Sequence, residues 1–238
     1  MARGRGASCS AMEKNGPRGL LTTAPPLPRP AALLFLHYFV CARAAFNFTT
    51  CPAPHELQSP AVASSFRLSQ FAGTYYELAL HDYTQYPACP APTCVRSVKA
   101  VDAARAKLRD AWVLSCFGAA YPEDLEFNLT STPGFFLGTW GVLPGVVFPD
   151  TVVDVGPVLA SGQYEWAIEL QCVQVAHNGA ASEEVVFVGI NFYHTDPTPG
   201  AEALGAMLAA ARARGLGVYM NHSFGVYTVP QGNCSWGG

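Results

Sequence analysis

Between residues 71 and 193 the chain is a run of short apolar segments, each ended by a turn signal, and this cadence limits the fold more than any other feature. Residues 71–80, 94–101, 108–117, 125–130, 135–142, 151–155, 164–175 and 185–193 all read as strands. In most of them aromatic or β-branched residues alternate with others. Ser131-Thr-Pro-Gly134, Pro144-Gly145, Gly156-Pro157 and His177-Asn178-Gly179 separate several of them, and these are turn chemistries. Val, Phe, Tyr, Thr and Gly are plentiful, whereas only 13% of residues are charged, a balance that favours sheet.

The next piece differs in kind. Residues 198–215 are rich in alanine, and Leu204, Met207, Leu208 and Ala211 fall on one helical face. Thr198 suits the N-cap, Pro199 the first turn, and Arg212, Arg214 and Gly215 the end, so one helix of about four turns is expected. Residues 217–229 give a last strand region. Residues 45–65 are irregular, and residues 65–70 can form one helical turn before the first strand. The expected fold is all-β: eight antiparallel strands, one C-terminal helix and a closing strand. Short links between consecutive strands favour an up-and-down barrel over a sandwich, and eight strands enclose just enough room for one small ligand.

The N-terminal 44 residues read as a secretory signal. Arg3, Arg5, Lys14, Arg18 and Arg29 precede an uncharged apolar run over 31–41, and Ala42-Arg43-Ala44 places small residues where a signal peptidase cuts. The apolar run is too short to span a bilayer, and no later segment is long and apolar enough to do so. The expected organisation is a leader over 1–44, an irregular segment over 45–65 and a barrel domain over 66–234. Cleavage would remove six of the 14 basic residues and one of the 17 acidic ones, leaving 8 against 16 and a net charge of −8. That balance argues against nucleic acid or an anionic membrane surface as partner. It would also leave Cys51, Cys89, Cys94, Cys116, Cys172 and Cys234, an even set that reads as three disulfides in an exported chain. Sequons at Asn47, Asn128, Asn221 and Asn233 agree with export.

Several motifs resemble the lipocalin family, of the type that includes apolipoprotein D and the bacterial and plant lipocalins. Gly73-Thr-Tyr-Tyr-Glu-Leu-Ala79 is similar to the family's Gly-x-Trp-Tyr-Glu-Ile-Ala opening, with Tyr75 in place of tryptophan. Cys51-Pro-Ala-Pro54 precedes it, Cys94-Val95 opens the second strand, Val152-Val-Asp-Val-Gly156 and Tyr164-Glu-Trp-Ala-Ile168 resemble the paired strands of the family's second motif, and Cys234 follows the last strand. The Thr-Asp expected before Tyr164 is replaced by Gly162-Gln163, and His194 stands near the family's arginine. The resemblance implies disulfides Cys51–Cys172 and Cys94–Cys234, leaving Cys89–Cys116; spacing alone does not choose among the 15 pairings of six cysteines. It also implies a carrier of a small hydrophobic ligand, a lipid, isoprenoid or carotenoid, with no cofactor.

The strand faces supply candidate ligand contacts. Tyr75, Glu77 and Ala79 share a face that the resemblance points inward, and Glu77 is either a paired structural acid or a contact for a polar ligand end. Trp112, Leu114 and Cys116 form a second face, Phe136, Gly138 and Trp140 a third, Tyr164, Trp166, Ile168 and Leu170 a fourth, and Phe187, Gly189, Asn191 and Tyr193 a fifth. Ordinary core packing competes with ligand contact at each position. Asp150 and Asp154 read as solvated strand ends, and His194-Thr-Asp196 as a surface turn.

Enzyme signals are poor. The chain has no Gly-x-Ser-x-Gly elbow, no zinc spacing, no phosphate loop and, with six cysteines paired, no free thiol in the mature chain. Two alternatives stand beside the carrier: a lipocalin-fold enzyme similar to xanthophyll de-epoxidases, and a barrel filled by its own side chains that binds a protein through its loops. Secretion is the expected destination. The Ala45-Phe46 start leaves a plastid route open for an alga with complex plastids.

Overall fold

The computed structural model describes residues 50–82, 89–140, 147–176, 183–221 and 225–235. The expected leader, its expected cleavage point and the Asn47 sequon lie outside the described residues.

Three short helices come first: α1 (Pro54–Leu57), α2 (Pro60–Ser65) and α3 (Leu68–Phe71). The segment expected to be irregular over 45–65 therefore holds α1 and α2, and the expected turn over 65–70 is α3. Pro54 and Pro60 stand in first helical turns, where the missing N–H costs nothing, and the Ser59 hydroxyl accepts from the Val62 N–H.

Eight long strands follow: β1 (Gly73–Asp82), β2 (Thr93–Asp102), β3 (Lys107–Cys116), β4 (Ala119–Leu129), β5 (Phe135–Trp140), β6 (Val147–Val155), β7 (Trp166–Ala176) and β8 (Glu183–His194). Each pairs antiparallel with the next, and β1 pairs with both β8 and β2, so the sheet closes on itself. This is the expected eight-stranded up-and-down barrel. The first half of β1 bonds to β2, while Ala79 and Leu80 bond instead to β9 (Tyr227–Thr228), the extra strand. Residues 217–229, expected as a last strand region interrupted near 221–223, hold α5 (Gly217–Met220) and then β9.

β4 begins well before the expected 125, with Pro122 inside it opposite Val113. Among the described residues, pairing with β5 covers Leu125–Leu129, so Pro122 has a strand partner on the β3 side alone, a position that tolerates a residue without an N–H.

The C-terminal helix α4 (Ala201–Ala213) starts later than Thr198: its N-cap is Gly200, and the Thr198 N–H donates to Asp196 Oδ1 at 2.8 Å. It ends as expected, with Gly215 at φ +86° and the Leu216 N–H on the Ala211 carbonyl at 3.0 Å. Met207 and Ala211 are fully buried against the outer surface of the barrel, in a cluster with Leu78, Ile168, Leu170, Val188, Ile190 and Phe192. Disulfides join Cys51 to Cys172 and Cys94 to Cys234, the two pairs that the resemblance implies, and Cys89 to Cys116, the pair it leaves over. The first ties the N-terminal segment to β7, and the second ties the C-terminus to the start of β2.

Candidate ligand site in the barrel

The inner face has three layers. At the closed end, α2 and α3 lay Val62, Phe66 and Phe71 across the barrel against Leu108, Phe127, Phe136, Val152, Tyr164 and Ala167. The rings interlock: Phe71 stacks on Phe136 at 5.9 Å between centroids, and Phe66 on Tyr164 at 5.9 Å. Gly138 leaves room for this plug, because a Cβ there would meet the Phe127 ring at 2.7 Å. Tyr75, fully buried, lies on top of the plug, 6.1 Å from Phe71 and 6.4 Å from Tyr193.

Above the plug lies a charged layer that sequence reasoning missed. Lys99 of β2 reaches inward, donates to Asp110 Oδ2 of β3 at 2.8 Å and lies 3.0 Å from Glu169 Oε1 of β7. The Ser97 hydroxyl donates to the other Asp110 oxygen at 2.7 Å. The Lys99 ammonium also stands over the rings of Tyr193, at 4.8 Å, and Phe71, at 5.1 Å. Asp150 of β6 belongs to the same layer. It is 2% exposed, so the expectation of a solvated strand end is overturned: the alternation that carries Phe148 and Val152 inward carries Asp150 with them. Glu77 is fully buried and accepts from Asn191 Nδ2 at 2.5 Å.

Burial sets the electrostatics of this layer. By itself it would lower the Lys99 pKa, but the carboxylates of Asp110, Glu169 and Asp150 outweigh it and hold the ammonium well above the ordinary lysine range. Burial raises the Asp150 carboxyl well above its usual range, Glu169 adds to that rise, and Lys99 and a hydrogen bond from Gln171 oppose it. Glu169 is raised for the same leading reason, with Lys99 pulling the other way. Burial also pushes the Tyr75 phenol up to about 12, against the pull of Gln163 and Lys99.

Toward the other end the inner face turns apolar. Leu80, Val95, Leu114, Val229 and the Cys89–Cys116 disulfide cluster there with Trp112, and Phe148 meets Phe187 edge-on at 6.1 Å on the opposite side. Residues 83–88, 141–146 and 177–182, with the turns expected at Pro144-Gly145 and His177-Asn178-Gly179, lie outside the described residues.

The expected contacts therefore divide. Tyr75, Glu77, Trp112, Leu114, Phe187 and Asn191 lie on the inner face, and Phe136 lies there too, but inside the plug. Trp166 and Ile168 lie on the outer face, in the layer beneath α4. The inward residues of β7 include Ala167, Glu169 and Gln171, so Trp166, Ile168 and Leu170 face out of the barrel toward α4. Ala79 departs from the face of Tyr75 and Glu77 because a bulge between Glu77 and Ala79 shifts the register, sending Ala79 outward and Leu80 inward. Of Trp140 the structure describes the backbone, opposite Leu125. The His194-Asp196 turn is closed by the Asp196 N–H donating to His194 Nδ1 at 2.9 Å. The missed layer had one legible sign: in a chain with few charges, Ser97 and Lys99 alternate with Val95, and Asp110 alternates with Leu108 and Trp112.

No protein-family model matches the chain, and a sequence search of curated proteins finds no match. Among solved structures it is similar to lobster apocrustacyanin A1, with a TM-score of 0.54 at 10% identity over 79% of this chain and 91% of that one. It is similar to apocrustacyanin C1, with a TM-score of 0.52 at 12% identity over the same shares, 79% and 91%. At such identities the likeness is one of fold. The closed barrel, its packed helix and the strand added beside β1 make this the lipocalin fold.

Proposed function

We propose that this protein is an exported carrier that holds a small hydrophobic ligand inside the barrel. The observation that carries the reading is the layering of the inner face: an aromatic plug closes one end, a few polar groups stand above it, and Trp112, Leu114, Phe148 and Phe187 line the rest. Apolar walls with a few placed polar groups are the usual makeup of a small-molecule site. Lipids, isoprenoids and carotenoids are the classes that fit aromatic walls, with Tyr75, Glu77, Trp112, Leu114, Phe187 and Asn191 as contacts. Three disulfides suit an oxidising compartment, and Asn128, Asn221 and Asn233 are exposed, as glycosylation requires. The proposed organisation is a cleaved leader over 1–44, an N-terminal segment over 45–65 and the barrel over 66–234. Secreted protein extracted with organic solvent should release a small molecule detectable by mass spectrometry. The stripped protein should regain hydrophobic ligands with quenching of Trp112 fluorescence. Clean extracts together with no quenching by any hydrophobic class would instead favour a barrel filled by its own side chains.

A further inference from the structure

Among the described residues, the buried carboxylates of the inner face outnumber the buried lysines and arginines. Among the described residues, Glu77, Asp82, Asp110, Asp150 and Glu169 are all buried, none more than 3% exposed, and Lys99 is the only buried lysine or arginine. All five acids belong to the inner face. Asp82 pairs with Gly189, which shares a face with Phe187 and Asn191, and a Cβ on Gly189 would lie 2.9 Å from Asp82 Oδ2. His81 pairs with Ile190 of the outer layer and bonds the Gly225 carbonyl through Nδ1 at 2.6 Å, and His194 is held in its turn.

Lys99 is also spent, since two carboxylates and two rings already surround it. Asp150, although 2% exposed, keeps Oδ1 without a hydrogen-bond partner among the described residues. Buried acids are ordinarily paired at both oxygens, and a buried carboxylate oxygen without a donor marks a place where one belongs. A metal ion is a poor occupant: among the described residues no three acids, histidines or cysteines converge as a metal site does. An anionic head group would face the carboxylates with its one cation already engaged.

We propose, building on the carrier reading, that the ligand is an amphipathic organic amine, whose ammonium group sits beside Asp150 and Glu169 and whose apolar body lies along Phe148, Phe187 and Leu114. The charged layer then acts as the head-group selector of the cup, and the apolar layer takes up chain length.

The test compares one chain with three heads. Dodecylamine, dodecanol and dodecanoate are titrated into the stripped full-length secreted protein, below their micelle concentrations and at neutral pH, with tryptophan quenching and calorimetry as readouts. A hydrogen-bonded charge pair in a buried site is worth about 1.5–3 kcal/mol, so the amine should bind about tenfold or more tighter than the alcohol, and dodecanoate weakest. Asp150→Asn should shrink the amine-to-alcohol ratio about tenfold by the same measure; should that variant fail to fold, Glu169→Gln serves the same purpose. Equal binding of all three, or preference for dodecanoate, overturns the head-group inference and leaves the carrier reading standing. No binding by any of them overturns both.

Discussion

The two faces of β7 are opposites. Outward, Ile168, Leu170 and Cys172 pack under Met207 and Ala211 of α4; inward, Ala167 packs into the plug, Glu169 meets Lys99 and Gln171 meets Asp150. In most soluble sheets the oily face is the hidden one and the polar face is wet. Here both faces are hidden, one by a helix and one by barrel closure. The face with more hydrocarbon is the structural one, and the face with the charges is the one a ligand would meet. Apolarity therefore marks where the helix docks, and does not by itself mark the site.

The contrast can be broken from the inner side first. Lys99→Met keeps volume but strands Asp110 and Glu169, and loss of one partner from a buried ion pair costs about 3–5 kcal/mol. Chemical denaturation at neutral pH should show that loss, and it should shrink at acid pH as the stranded carboxyls take up protons. A change within experimental error would mean that the ion cluster does not form. On the outer side, Ile168→Ala should cost about 3 kcal/mol, the usual cavity penalty, while the affinity of any bound hydrophobic ligand stays within about twofold of the parent. A large affinity loss without a stability loss would return Ile168 to the cup.

Asp150 should respond in the other direction. Its folded-state pKa lies well above the ordinary aspartate value of 3.8, so the native state binds more protons than the unfolded chain and stability falls as pH rises through that window. Asp150→Asn should therefore raise the melting temperature at neutral pH and change it little at pH values below the ordinary carboxylate range. Equal shifts at both pH values would show that burial does not perturb this acid. The smallest effect belongs to Tyr75. With the phenol raised from 10.0 to about 12, the native state resists its ionisation, and stability should fall between those values. Tyr75→Phe should flatten that alkaline loss in part, since Tyr193 is raised as well, and should move neutral-pH stability by no more than about 1 kcal/mol.

Much of the architecture is legible in the residues. The strand cadence, the alanine-rich helix and the even cysteine set lead to an eight-stranded barrel with a helix and an extra strand. These are local or covalent signals, and tertiary context had little to override. The site was less legible. Glu77 and Asn191 lie on inward faces as alternation suggests, whereas Ile168 and Trp166 do not. The Glu77–Ala79 bulge exchanges faces within β1, and one extra residue leaves no signature in a run where both faces are apolar. Lys99, Asp110, Glu169 and Asp150 are far apart along the chain, so no motif announces their meeting.

By itself, then, the sequence determined the elements: period-2 alternation, turn residues and helix caps act over a few neighbours and hold wherever the segment finally packs. Away from the bulges it determined the pairs of faces on each strand as well. Only the tertiary structure decided which face of each pair looks into the barrel, because that choice depends on where α4 docks and on how the bulged strands close the ring. Closure turned an ordinary-looking Lys99 and Asp110, neighbours in register on β2 and β3, into the centre of a buried charged layer.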